Sequence, residues 1–161
     1  MNTKQLWNAL TRNPETNFYF DGIFSADTLN SITEKPELII CNTDPSNKPG
    51  EHWVLFFFKG KSVDFYDSLG RDIKYYGSLF INFIKDFAND YKQCIRRTQP
   101  IDSDLCGHYC LYYALAKCNG DSMETIIDRM VSSDHVIDVV NKNFSFCSSY
   151  KCPLLQDCIQ C

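Results

Sequence analysis

Wound as a helix, residues Cys106 to Cys118 (Cys-Gly-His-Tyr-Cys-Leu-Tyr-Tyr-Ala-Leu-Ala-Lys-Cys) are apolar almost all round. A helix with no polar stripe must be covered on every side, so this segment is expected to run through the centre of the molecule. The remaining elements have to surround it. The chain of 161 residues fits one domain spanning positions 1–161 and can bury a respectable core. Its 44% hydrophobic content places it among globular rather than disordered chains.

The surrounding elements can be read from periodicity and punctuation. Lys4–Leu10 predicts a short helix with Leu6, Trp7 and Leu10 turned inward. Phe18–Phe24 is an aromatic, turn-bounded segment, and Ala26–Ile32 a short helix. Leu38–Cys41 is an apolar run suited to a buried strand, whereas Asn42–Gly50 holds two prolines and several polar turn formers and reads as a loop. Gly77-Ser78 opens a helix placing Phe80, Phe83, Ile84, Phe87 and Tyr91 on one face. Cys94–Thr98 is a candidate strand, and Pro100–Asp104 a polar loop leading into the central helix. After that helix, Asp121-Ser122-Met123-Glu124 has capping-box spacing ahead of Ile126, Ile127 and Met130. The fold class is therefore α+β, with a mostly antiparallel central sheet and helices packed around it.

His52–Phe58 and Ser62–Ser68 are two extended runs joined around Lys59-Gly60-Lys61, as in a β-hairpin. With Lys59-Gly60 as the loop, His52 stands directly across from Asp67, where Cβ atoms lie about 4.5–5.5 Å apart. A three-residue loop would send the two side chains to opposite faces. A histidine–carboxylate pair fixes the imidazole tautomer and stabilises imidazolium, as a base serving a nucleophile requires.

Cys106-Gly107 sits where the polar loop meets the buried helix. The unsatisfied N–H groups and positive dipole end of that helix favour a thiolate at Cys106. Gly107 leaves room for a substrate backbone, and Gln99, seven residues earlier, offers a neutral side-chain donor to an oxyanion. Cys110 and Cys118 lie deeper in the helix and read as core thiols. His108 faces away from Cys106, and His135, after Ser132-Ser133-Asp134, is placed near a helix start.

Gly50-Glu51-His52-Trp53, Tyr66-Asp67-Ser68-Leu69-Gly70, Gln99 and Asp104-Leu105-Cys106-Gly107-His108-Tyr109-Cys110 resemble, in order and local wording, the adenain-type proteases. They are most similar to those carried by Maverick/Polinton elements and related double-stranded DNA viruses. Asn42–Ser46 and Phe20–Phe24 are similar to that group too, so the resemblance covers residues 18–118. It implies a papain-like fold with rearranged catalytic order. His52, Asp67 and Cys106 would form a triad, Gln99 would serve the oxyanion hole, and Trp53 would match the aromatic after the catalytic histidine. Adenoviral enzymes carry glutamate where this chain has Asp67; aspartate resembles the SUMO-specific proteases, which share the fold.

The activity so implied is a viral or virus-derived maturation endopeptidase that cuts capsid and core precursors beside glycine. It would work in the host nucleus or cytoplasm and in the virion, and its chemistry needs no metal or organic cofactor. The alternatives are release of a ubiquitin-like modifier from lysine, or a catalytically dead module that holds zinc through its tail cysteines. In adenoviral relatives a viral peptide adds along the sheet and forms a disulfide with the enzyme. By that resemblance Cys94 is the candidate partner for an activating peptide.

The remaining composition excludes some functions. A net charge of −4 does not suit a protein that coats nucleic acid, with Arg96-Arg97 the local basic spot. The apolar run Trp53–Phe58 is too short to span a bilayer, and the N-terminal residues lack a secretory pattern, so no membrane or secreted location is expected. Nine cysteines without a secretory signal argue against a disulfide framework. Cys147, Cys152, Cys158 and Cys161 crowd the tail at 147–161, but their spacing is not a zinc-ribbon pattern. Packing thiols, or disulfides formed after release, are expected there, and no metal site.

Overall fold

The computed structural model describes residues 1–146; the tail cysteines lie outside them. Helices α1 (Thr3–Arg12) and α2 (Pro14–Asn17) precede strand β1 (Phe20–Ser25), a 3₁₀ turn (Ala26–Ser31) and β2 (Leu38–Asn42). Strands β3 (Trp53–Lys59) and β4 (Ser62–Tyr66) form the hairpin. A second 3₁₀ turn (Ile73–Tyr76), α3 (Ser78–Phe87) and β5 (Asp90–Gln93) follow, then α4 (Cys106–Cys118), α5 (Met123–Ser132) and α6 (Val136–Asn143).

The sheet order is β1-β2-β3-β4-β5. The β2–β3 and β3–β4 pairs are antiparallel, while each edge strand joins its neighbour in parallel. Both faces are covered, which is why β3 is apolar at every position up to Phe58. Trp53, Leu55 and Phe57 join the core around α1, α4, α5 and α6. Val54, Phe56 and Phe58 alternate to the other face and meet Phe80, Phe83 and Ile84 of α3. Helix α4 is buried through Tyr109, Cys110, Leu111, Tyr113, Ala114 and Leu115, so the segment without a polar stripe is the covered centre of one layer.

Several expectations change. The hairpin loop is Gly60-Lys61, with Lys59 paired to Ser62. Gly60 has φ +60°, as the first position of a type II′ turn demands. The register is therefore slipped by two residues from the expected one: Leu55 faces Tyr66, and both His52 and Asp67 lie just past the ladder. An even slip keeps both residues on the same face, so the pair is diagonal rather than directly opposed. Tyr91 belongs to β5, not to the helix before it, although its side chain still packs on the same cluster. Cys94–Thr98 is not a strand; strand pairing ends at Gln93. Phe20–Ser25 is a full strand. Trp7 is half exposed, edge-on to Phe20, and Ala9 takes the inward position. Ser122, rather than Asp121, caps α5 by accepting from the Thr125 N–H.

Candidate active site

The hairpin end, the start of α4 and the segment leading to Gln99 converge on one cleft of about 1000 Å³. His52, Trp53, Gln99 and Cys106 all line it. Trp53 is the first residue of β3, so His52 is held at the sheet margin by the pairing that follows it, and its carbonyl accepts from Thr43 N–H at 2.9 Å. Asp67 immediately follows β4. His52 Nε2 lies 2.6 Å from Asp67 Oδ1, with both side chains almost wholly buried. Using Nε2 for the carboxylate leaves Nδ1 as the ring nitrogen for Cys106, whose thiol lies close enough for each group to shift the other's pKa.

Asp67 is held from four directions. The Leu69 N–H donates to Oδ1 at 2.8 Å, the Arg71 N–H donates to Oδ2 at 3.0 Å, and the Tyr76 hydroxyl donates to Oδ2 at 2.7 Å. His52 completes the set. Burial alone would raise the Asp67 pKa, but the hydrogen bond and charge of His52, with Tyr76 and Leu69, outweigh it and lower the value. Burial alone would likewise lower the His52 pKa; hydrogen bonds and charge from Asp67 and Cys106 overcome that and raise it to about 9. Cys106 moves the other way. Burial would raise its pKa, yet His52 and the backbone N–H groups of Trp53 and Gly107 bring it below the ordinary thiol value. The arrangement therefore favours imidazolium beside thiolate.

The other described thiols differ. Burial pushes Cys118 up to about 12, and it raises Cys41 and Cys110 as well. Cys94 is half-buried just after β5. His108 has a buried Nδ1 with no hydrogen-bond partner, and burial lowers its pKa; it faces Phe146 rather than the cleft. His135 is the N-cap residue of α6. Arg96 reaches Asp128 at 3.4 Å, so one member of the basic pair has an acidic neighbour.

Gln99 is brought to the cleft by the chain, not by a regular element. The Thr98 and Gln99 N–H groups both donate to the Ser68 carbonyl, at 2.9 and 3.1 Å. This docking needs Gly70, whose φ is +68° and whose Cα lies so near the passing chain that a Cβ would meet Arg97 N at 2.6 Å. Gln99 Nε2 donates to the Ser103 carbonyl at 3.0 Å.

All four predicted site residues are thus brought together, but one local expectation is corrected. The room in front of Gly107 is filled: a Cβ there would meet the Met1 side chain at 2.9 Å. The Met1 carbonyl in turn accepts from Trp53 Nε1 at 3.0 Å, so Met1, two residues ahead of α1, forms part of the cleft wall. Sequence reading missed Met1 and Tyr76, for which no local signal exists, and gave no role to Ser68 although it stands inside a quoted motif. Among the described residues no cluster of three or more His, Cys, Asp or Glu could hold a metal ion, and no helix is long and apolar enough to cross a membrane.

No family model matches the chain, and no curated protein matches it. Among solved structures, the ASFV pS273R protease is similar in two crystal structures, one of them of the selenomethionine protein. The selenomethionine form gives a TM-score of 0.50 and 19% identity, covering 70% of this chain and 46% of that one. The other gives a TM-score of 0.53 and 16% identity, covering 81% and 62%. The chain therefore spans only about half to three-fifths of the length of that protease. With its mixed five-stranded sheet and buried helix opening on Cys106, this chain has the papain-like α+β fold of the ASFV pS273R protease.

Proposed function

We propose that the chain is a cysteine endopeptidase of viral or virus-derived origin, which matures capsid and core precursors by cutting beside glycine. The observation that carries this reading is the hydrogen-bonded Asp67–His52 pair sharing a cleft with Cys106, a thiol at the first turn of a buried helix. The Cys106 thiolate attacks the scissile carbonyl carbon, and the carbonyl electron pair moves onto oxygen, where Gln99 Nε2 and backbone N–H groups stabilise it. Collapse expels the amine, which takes its proton from His52, and leaves a thioester on Cys106. His52 then removes a proton from water, the resulting hydroxide displaces the thiolate, and the acid product departs. Asp67 keeps the imidazole oriented and stabilises its cation throughout. No step calls for a metal or organic cofactor.

Limiting iodoacetamide near neutral pH should label Cys106 first, because burial holds the Cys41, Cys110 and Cys118 thiols protonated. Cys106→Ala should abolish cleavage of glycine-containing peptides with the melting midpoint within a few degrees of the parent. Efficient release of a fluorophore from a SUMO or ubiquitin C-terminus, with glycine peptides left intact, would instead assign removal of a ubiquitin-like modifier. An activating viral peptide adding to the β5 edge and joined by a disulfide to Cys94 is part of the same proposal, supported by Cys94 directly following that edge strand.

A further inference from the structure

Asp67 and Ser68 are consecutive residues, yet they serve different partners. The Asp67 carboxylate accepts from His52, whereas the Ser68 hydroxyl donates to Gln99 Oε1 at 2.6 Å. Ser68 has no exposed surface and Gln99 almost none. The two ends of a glutamine amide are nearly equal in shape, so its partners decide which end points where. Here they agree. Ser68 supplies a donor to the oxygen end, and the Ser103 carbonyl supplies an acceptor to the nitrogen end at 3.0 Å. Turning the amide over would set Oε1 against the Ser103 carbonyl, oxygen against oxygen. It would also force the Ser68 hydroxyl to stop donating. Ser103 takes one of the two Nε2 hydrogens, and the other remains for a bound group in the cleft that Gln99 shares with Cys106.

Resting on the catalytic reading above, we infer that Ser68 is the positioning residue of the oxyanion donor. Its hydroxyl holds the Gln99 amide with Nε2, not Oε1, presented to the oxyanion. The two residues leaving β4 then set both sides of the nucleophile: Asp67 orients the base and Ser68 orients the donor. Because Ser68 also carries the backbone carbonyl that docks Thr98 and Gln99, the side-chain role is separable from the main-chain one. Replacing the side chain leaves that docking in place.

The test uses the purified protein and Ser68→Ala with three readouts. The first is cleavage of a glycine-containing peptide. The second is inhibition by a peptide ending in glycinal: thiolate adds to the aldehyde carbon, and the C=O electron pair becomes an oxyanion in the hemithioacetal. The third is inactivation by iodoacetamide, in which thiolate displaces iodide and no oxyanion forms. Complete loss of an oxyanion donor costs about 10²–10³ in kcat, so loss of its orientation should cost about 10–100-fold with KM nearly unchanged. Glycinal inhibition should weaken by a similar factor while the iodoacetamide rate stays the same. In a Gln99→Ala background, Ser68→Ala should add no further loss. If Ser68→Ala does not fold, Ser68→Cys, close in size with a weaker donor, should show the same pattern at smaller amplitude. An equal fall in the iodoacetamide rate, parental glycinal inhibition, or fully additive losses in the double variant would each overturn the assignment. If Cys106 of the parent is not the first thiol alkylated, the catalytic reading itself fails and the inference falls with it.

Discussion

Asp67→Asn removes a charge and almost nothing else, so it isolates what the carboxylate does. In the folded protein His52 is raised from 6.5 to about 9 against a burial effect that acts the other way. At about 1.4 kcal/mol per pH unit, that difference represents about 3 kcal/mol favouring imidazolium. Asp67 and the Cys106 thiolate share it. Because burial opposes both, their gross support exceeds the net difference, and Asp67→Asn should withdraw a large share of it, on the order of tenfold or more against the cation. Orientation adds to this. Oδ1 accepts from His52 and Leu69, while Oδ2 accepts from Arg71 and Tyr76. An asparagine NH₂ must therefore face a backbone N–H, of Leu69 or Arg71, that cannot turn away. Leaving that group without an acceptor costs about 1–3 kcal/mol of stability. The expected kcat/KM loss is about 10–100-fold, below the 10⁴ of the corresponding serine-protease change, because a thiol needs less help to ionise. The assay is kcat/KM and iodoacetamide inactivation as functions of pH. In the parent the alkaline limb should lie near 9, where His52 gives up its proton. In Asp67→Asn it should move down by about one pH unit or more. An unmoved limb with parental kcat/KM would refute the idea that Asp67 supports the cation.

Tyr76→Phe removes one of the four donors to Asp67, and should lower kcat/KM about 3–10-fold with a modest fall in the alkaline limb, read from the same pH profiles. Gly70→Ala introduces both an unfavourable φ and a Cβ against Arg97 N, so it should destabilise by about 1–3 kcal/mol in thermal or urea unfolding and reduce kcat more than iodoacetamide reactivity, since the displaced segment carries Gln99. Stability should itself follow pH: the raised His52 contributes stability that is complete below about 6.5 and lost as pH climbs through about 9, while the depressed Asp67 contributes stability present above 3.8 and lost as pH falls through its lowered value, checked by melting curves across that span. Cys94→Ser should abolish any stimulation by virion extract or precursor peptides under non-reducing conditions without changing basal activity; basal activity that is already full, and insensitive to Cys94→Ser in every condition, would remove the activator.

What the sequence settled by itself is what local chemistry settles. The segment from Cys106 to Cys118 has no continuous polar face, and it is a largely buried helix with those bounds because it offers no stripe to water. Phe80, Phe83 and Ile84 at helical spacing fixed the inward face of α3, and the prolines and polar residues after β2 fixed a loop. His52 and Asp67 share a face because side-chain parity survives any even slip of the hairpin. Tertiary structure decided the rest. A leading glycine suits the Gly60-Lys61 turn, but glycine also serves in the Lys59-Gly60 alternative; pairing across the sheet placed Ser62 opposite Lys59 and made the His52–Asp67 contact diagonal. Tyr91 satisfies helical spacing from Phe87, yet the chain breaks out at Ala88 and pairs with β4, while the same ring still reaches the same cluster. Tyr76 on Asp67, Ser68 on Gln99 and Met1 against Gly107 join residues separated by 9, 31 and 106 positions. No window of sequence contains such contacts, because the fold alone brings their partners within reach.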